Sequence, residues 1–489
     1  MYIRIYLYIY IYILEYNTKT NIRCLTNIAA GTSYETGQVI KNGVLDVLMT
    51  LLAHNPKDTP NNDLIEQIFW CFGNISGDCF YYTYLLLVQK KLLKFVFGKM
   101  LANNNHHFNI SVLLQWCWVI NNMFRKSSSS EGIGWEQSSS NTNADRDSNS
   151  NDIIEIDYYV PDEEEENFCE DVLQRQLRQC RTTIVSFLPN VLQLFQYLYH
   201  AFNNINDTSF NESDRTNIES CLRELLSALL FVSDDFDDPV RDWGCIELLC
   251  DEKVCSVLLS IVNSSNIAKD IAMNAFRVIG QMISSQNDDT TAHIIQSGFL
   301  AAIPKWLNDP TKTYRHEAMW TLSNIAAGSI EDIGSLLSNE ELIKQVIQMA
   351  LNDNFEIRRE AAWVICNCFQ GGSSQHIVKL IFQYNCLKPI SFMLKHICTT
   401  AHRSIDRSLH DFKIAEESTL QLIVHGLIAA LRHFVNDSTQ LVQIIDTCDN
   451  LQIVDTLQDM LSLSSMDDDL HNDIDTLLST FLSDQSQLD

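Results

Sequence analysis

Two stretches of the chain read almost alike. "EAMWTLSNIAAG" runs from Glu317 to Gly328 and "EAAWVICNCFQGG" from Glu360 to Gly372, so Trp320 and Trp363 stand 43 residues apart, as do Asn324 and Asn367. Aligning the rest of the chain on the Asn brings out "RCLTNIAAGTS" (Asn27), "WCFGNISGD" (Trp70, Asn74) and "WVINNMFR" (Trp118, Asn122). It also brings out "FRVIGQMISS", where Gln281 holds the Asn position and Arg277 the Trp position. The uninterrupted spacings are 47, 48, 43 and 43 residues, taken from Asn27 to Asn74, Asn74 to Asn122, Gln281 to Asn324 and Asn324 to Asn367. Helical repeats of this length cannot bury their apolar faces alone and must stack on their neighbours. A 489-residue chain with such a period is an extended array, not one compact core.

The spacing falls in the range of armadillo or HEAT repeats. Each unit has a second half. A Gly closes the motif helix, as at Gly31 and Gly328, which suits a left-handed C-cap. An apolar run follows, such as "QVIKNGVLDVLMTLL" or "HIIQSGFLAAIPKWL", and a small "NG" or "SG" turn splits it into two short helices. One unit reads as helix, turn, helix, helix, and the whole as an all-α, right-handed superhelical solenoid of armadillo repeats.

Two polar segments interrupt the period. Residues 126–170 contain "SSSSEGIGWEQSSSNTNADRDSNSN" and "PDEEEEN", too polar to form a core and expected to be disordered. A shorter loop covers 203–217. Beyond it a helix from Ile218 to Val232 takes the motif position, with Ser227 and Phe231 for Trp and Asn. The expected division is therefore a low-complexity start (1–20), repeats (21–125), the insertion (126–170), further repeats (171–445) and a cap repeat with an acidic tail (446–489). The opening "MYIRIYLYIYIYIL" is too short to span a bilayer and has no signal-peptide cleavage site. It reads as a mistaken start of the reading frame, with a membrane-touching tail as the alternative. Nothing else reads as transmembrane.

Charge narrows the partners. With 62 acids against 34 bases the formal charge is −28, which disfavours direct nucleic-acid binding and favours a basic partner. The 15 Cys include no CxxC pair and read as buried reduced thiols of a cytosolic or nuclear protein. There is no HExxH, GxxxxGK[ST], GxSxG or EF-hand pattern, and His106–His107 lack metal-ligand spacing. No enzyme activity, metal or cofactor is expected.

The repeated pair has a physical use. Residues at i and i+4 share a helix face, so stacked repeats present a ladder of Trp rings and carboxamides. Lys and Arg stems fit between Trp rings, and the cation gains from the ring faces. Asn both donates and accepts, so a row of Asn can hold an extended backbone without reading its sequence. Glu317 and Glu360, three residues before their Trp, and Asp78, four after Asn74, supply anions for the stem ends. Core packing explains a Trp but not an amide one turn later.

These stretches, with "NIAAGTSYET" and "FGNISGD", resemble the importin-alpha family of armadillo nuclear-import adaptors, over most of residues 21–480 and weakly from 126 to 240. The resemblance implies a concave groove that binds the Lys/Arg-rich nuclear localisation signals of cargo proteins at two sites. The major site would hold Asn27, Trp70, Asn74, Trp118 and Asn122, with a lysine pocket made by the Gly31 carbonyl, the Thr36 hydroxyl and Asp78. A hydroxyl and a carboxylate suit an ammonium as charge-assisted partners. The minor site would hold Arg277, Thr290, Glu317, Trp320, Asn324, Glu360, Trp363 and Asn367. The family shuttles between cytoplasm and nucleus, uses importin-beta, and meets a nuclear export receptor at its last repeats. This chain departs from the pattern at Arg23, Ser227, Phe231 and Gln281; no basic importin-beta-binding segment precedes residue 20, which is expected either of a truncated sequence or of a copy that does not recruit importin-beta in the usual way. The late pair is therefore expected to be the more intact site. The alternative is an armadillo interaction scaffold without import activity.

Overall fold

The computed structural model describes residues 18–55, 61–100, 108–128, 163–204, 211–233, 245–285, 288–405, 413–435, 437–462 and 466–482. The expectations for the first fourteen residues, and for the middle of both polar segments, lie outside the described residues. Among the described residues the regular structure is helical throughout, and the fold is an all-α solenoid.

The chain divides into two compact units, one comprising residues 1–257 and 266–274, the other 258–265 and 275–489. The first begins with α1 (Thr18–Ala29). A full repeat follows: α2 (Ser33–Lys41), α3 (Val44–His54) and the long α4 (Asn62–Asp78). Next come α5 (Phe80–Tyr84), α6 (Leu92–Phe95) and the long α7 (Ile110–Ser128), then α8 (Glu163–Asn203) and the long α9 (Arg215–Ser233). The long helices pack in sequence, α4 on α1, α7 on α4 and α9 on α7. Their buried sides carry the core, with Phe69 and Phe72 from α4, Trp116 and Phe124 from α7, and Leu222 and Leu226 from α9. Short α10 (Ile246–Leu249) follows, then α11 (Glu252–Asn263) and the long α12 (Lys269–Ser284), which the division between units cuts.

The second unit continues with α13 (Asp288–Gln296), α14 (Ile303–Leu307) and the long α15 (Lys312–Ala326). Two more repeats are α16 (Ile330–Ser338), α17 (Glu340–Asn352) and the long α18 (Phe355–Gly371), then α19 (Ser374–Val378), α20 (Leu387–Ile405) and the long α21 (Lys413–Arg432). The last is α22 (Ser438–Asn450), α23 (Ile453–Leu461) and α24 (Asp468–Phe481). Here α18 packs on α15, α21 on α18 and α24 on α21.

At five described corners between the two shorter helices of a repeat the chain turns on one left-handed residue, whereas between α16 and α17 Asn339 has φ −87°. In the first unit the left-handed residues are Gly43 (φ 80°) and Lys91 (φ 53°). In the second they are Gly298 (φ 91°), Asn385 (φ 51°) and Gln452 (φ 59°). The "NG" and "SG" turns of the sequence are two of these five. One turn of π-helix precedes the corner at Lys91 and at Asn385.

Several expectations need correction. Gly31 and Gly328 are not left-handed caps; the described glycines with positive φ are Gly43 and Gly298. The first two are small for another reason. Each precedes a capping box whose acid folds back over it, and an added Cβ would lie 2.2 Å from Glu35 Oε2 at Gly31 and 2.9 Å from Asp332 Oδ2 at Gly328. In the box, Thr32 accepts from the Glu35 N–H at 3.4 Å while Glu35 accepts from the Thr32 N–H at 2.8 Å. Ser329 with Asp332, and Ser373 with His376, repeat it. The repeat around α8 also departs from the unit pattern: its two shorter helices are fused into 41 residues that run through Pro189. The insertion has helical ends, since α7 continues to Ser128 and α8 starts at Glu163, and it does not divide the units, because α9 packs on α7 beyond it. The long helix expected from Ile218 starts at Arg215, and the closing repeat starts at Ser438.

Candidate peptide-binding groove

The structure separates two classes of Trp. Trp116 and Trp306 are fully buried, whereas Trp70 is 38% exposed and Trp118, Trp320 and Trp363 are half-buried. The second class is the repeated one. In the first unit the Trp118 ring packs against Gly73, where an added Cβ would come within 2.1 Å of the ring. In the second unit the Trp320 ring covers Gly280 in the same way, at 3.1 Å from an added Cβ. Each glycine immediately precedes the Asn position of its own long helix. Ordinary sequence reading passes over this small residue, yet it admits the next repeat's ring.

The same position supplies an acceptor. Asn74 Nδ2 donates to the Thr26 carbonyl at 2.9 Å, Asn122 Nδ2 to that of Gly73 at 3.1 Å, and Asn367 Nδ2 to that of Ser323 at 2.9 Å. Each carboxamide is thus pinned to the long helix before it. One amide hydrogen is used, and the geometry is the same in both units. At Asn74 and Asn367 a second N–H and the carbonyl oxygen stay on the half-buried face. Asn324 is the exception, because its Nδ2 is buried without a partner. That is an unmet donor in the middle of the late motif.

Other expected site residues are less open. Asn122 is 5% exposed, and its oxygen accepts from Arg125 Nη2 at 3.0 Å, so both ends of this amide are engaged inside the protein. Thr36 is fully buried, its hydroxyl donating to the Ala29 and Thr32 carbonyls at 3.3 Å. It closes the turn after α1 and is not an open pocket wall. Thr290 is buried in α13. The anions of the late site are paired already. Arg277 Nη2 lies 3.0 Å from Glu317 Oε1. Glu360 is 8% exposed, with Arg359 at 3.4 Å, Ser323 Oγ at 3.4 Å and His316 at 4.0 Å. These acids brace neighbouring repeats, and a peptide cation would have to compete for them. Trp363 Nε1 donates to Thr419 Oγ1 at 3.3 Å, fixing that ring from α21.

Asn27 and Gly31 are exposed at the end of α1. Asp78 is half-buried at the end of α4, its Oδ1 accepts from the Ser33 hydroxyl, and its Oδ2 is buried with no partner. Residues missed by sequence reading include Ser33, Asn121, which donates to Glu224 at 2.7 Å, and Glu416 in the first turn of α21. Burial pushes the Glu416 carboxyl up to about 7, against the opposite pull of Arg359. The described cysteines are free, and burial pushes the Cys71 and Cys368 thiols up to about 12, which leaves them poor nucleophiles. No group of three or more potential metal ligands occurs among the described residues, and no described helix is long and apolar enough to cross a membrane.

Fold and groove together define an armadillo-type repeat fold whose stacked long helices expose Trp rings and oriented amides. No protein-family model matches the chain. The chain is similar to importin alpha subunits. It is 35% identical to importin subunit alpha-2 of Arabidopsis thaliana over 101 residues, 21% of this chain and 17% of that one. Longer matches are weaker: 23% over 314 residues to importin subunit alpha-1a of Oryza sativa subsp. japonica, covering 64% and 43% of the two chains. Importin subunit alpha-9 of Arabidopsis thaliana is 22% identical over 339 residues, covering 68% and 49%. The chain thus spans less than half the length of each of these relatives. Among solved structures, an engineered protein aligns over 94% of both chains with a TM-score of 0.53 at 15% identity, a likeness of fold alone.

Proposed function

We propose that this chain is a nuclear import adaptor. It holds the Lys/Arg-rich localisation signals of cargo proteins against the Trp–Asn face of its long helices and shuttles between cytoplasm and nucleus. In this reading it couples to importin-beta for entry and to a nuclear export receptor through its last repeats. The observation that carries it is the amide bond repeated from one long helix to the next, at Asn74, Asn122 and Asn367, beside Trp rings that stay accessible. The bond orients one amide per repeat, which suits an extended peptide, since it presents an N–H and a C=O at a regular pitch. The charge of −28 favours a basic ligand.

The test is fluorescence anisotropy of a labelled octapeptide of alternating Lys and Arg, titrated with the full chain at low and high salt. Salt-sensitive binding is expected. Trp320→Ala with Asn324→Ala is expected to weaken it about tenfold, the equivalent of about 1.4 kcal/mol. Absence of binding at both salt concentrations rejects the adaptor.

A second reading has one specific observation behind it. Glu317 and Glu360 are braced by Arg277, His316 and Arg359, as in a face that packs repeats and takes no basic peptide. The chain would then be an interaction scaffold without import activity. Capture of importin-beta by the immobilised full chain, with and without the basic peptide, separates the two.

A further inference from the structure

Arginine stands twice at the Trp position of a long helix, as Arg23 in α1 and as Arg277 in α12, each four residues before its Asn or Gln. The helix that packs next treats the two differently. Arg277 Nη2 lies 3.0 Å from Oε1 of Glu317, which stands three residues before Trp320. The matching place before Trp70, on the α4 helix that packs against α1, holds Gln67. Gln67 is neutral and 8% exposed, and its Oε1 is buried without a hydrogen-bond partner. The acid that meets Arg277 is therefore missing for Arg23. Arg23 is exposed, and among the described residues no hydrogen bond or ion pair reaches its side chain.

The acids at the start of α4 are drawn to another cation. Lys19, one turn before Arg23, lies 2.6 Å from Asp63. Burial and Asp63 push the Glu66 carboxyl up, and Lys19 draws it down. Farther along the ladder the neighbouring cations are engaged inside the protein. Arg125 donates to Asn122 at 3.0 Å, and Arg359 lies 3.4 Å from Glu360.

A free guanidinium in place of an indole changes what that rung can take. A Trp ring holds a Lys or Arg stem by contact and attracts its charge. An Arg at the same place repels that charge. Its planar fork fits a carboxylate, through two parallel N–H···O bonds. We propose that Arg23 makes the rung of α1 an anion subsite, so that the ligand of the groove is a basic segment with an acidic side chain at the end lying over α1. This rests on the peptide-groove reading above. The formal charge of −28 disfavours an acidic residue elsewhere along the ligand, so the preference belongs to this rung.

The experiment uses the full chain at low salt and labelled octalysine extended by a Glu pair at its N-terminus or at its C-terminus, with Gly pairs as controls. In the unsubstituted protein the Glu pair at one end is expected to bind about threefold tighter than the Gly pair there, and at the other end to bind more weakly. Arg23→Ala is expected to abolish the gain, and Arg23→Glu to turn it into a loss of about threefold. Arg23 makes no contact that the fold needs, and a misfolded variant would weaken all four peptides alike; thermal melts of the three proteins check this directly. Equal effects of Glu at the two ends, or a gain that survives Arg23→Ala, overturns the proposal, while binding of the Gly-extended peptides keeps the groove. If none of the four peptides binds the unsubstituted protein, the groove reading falls and the role of Arg23 with it.

Discussion

Asn122 and Asn367 hold the same place in their repeats and make the same bond to the helix before, yet one is closed and the other open. The difference lies three residues on, where α7 carries Arg125 to fill the amide oxygen and α18 carries the exposed Gln370. The pairing of Asn with a carbonyl also makes these residues structural. Asn367→Ala removes one hydrogen bond and leaves the Ser323 carbonyl part-buried. It is expected to cost the second unit about 1 kcal/mol, read from the midpoint of urea unfolding. Gly73 is more sensitive. In Gly73→Ala the new methyl has to displace the Trp118 ring, so a red-shifted Trp emission and a loss of about 1–3 kcal/mol are expected. Unchanged emission would show that the ring does not rest there. The Trp–Asn periodicity was legible because both residues are conspicuous and recur. The small residue beneath the ring was present in print, as Gly73 and Gly280, but small residues have many uses and only the packed neighbour selects one.

Helix ends and corners recur as faithfully as the ladder. The sequences "GTSYE", "GSIED" and "GSSQH" each hold a Gly, a hydroxyl cap and a box partner three residues after the cap. Ser329→Ala is expected to destabilise the second unit by about 1 kcal/mol through loss of its cap, with Ser329→Asp nearly neutral, both read by thermal melting. Five corners follow one backbone rule with unlike residues. Lys91 adopts a left-handed conformation that glycine adopts without steric cost. Lys91→Gly is therefore expected to raise first-unit stability by about 0.5–1 kcal/mol, the relief of strain exceeding the added freedom of the unfolded chain. A lower melting temperature would contradict the assignment. Two corners were recognisable in advance from "NG" and "SG". Those at Lys91, Asn385 and Gln452 were not: Lys and Gln carry no local signal for positive φ, and Asn, which tolerates it, is common in other conformations too, so packing on both sides decides.

Across the molecule, cations on one long helix face acids on the next: Lys19 with Asp63 and Arg223 with Asp270 in the first unit, Arg277 with Glu317 and Lys312 with Glu356 in the second. Most are exposed, so each adds little to stability and their sum weakens with salt. The response to pH rests on less exposed groups. Glu416 releases its proton at about 7 in the folded chain against 4.5 as the ordinary value. Between those pH values the unfolded chain ionises first, so stability falls as pH rises, and the cost is constant above about 7. Glu416→Gln is expected to melt higher by about 2 °C at pH 8 and to match the unsubstituted protein at pH 4. Asp353 has the opposite sign. Burial would raise its carboxyl, but the two 2.9 Å bonds from Arg315 hold it below the ordinary 3.8. Its contribution is present above pH 3.8 and is lost on further acidification.

Period, helical class and the identity of the exposed Trp and Asn were written into the amino-acid order, because a repeat imposes the same local problem many times and solves it with the same residues. Which of those residues remain available was not. Thr36, Asn122, Glu317 and Glu360 match the expected pattern in type and spacing, but each finds a partner within the protein. Those partners lie on another helix, on the preceding turn or three residues along, at distances that only packing fixes. The same packing brings the Ser33 hydroxyl onto Asp78 Oδ1 across 45 residues and buries Oδ2 without a hydrogen-bond partner.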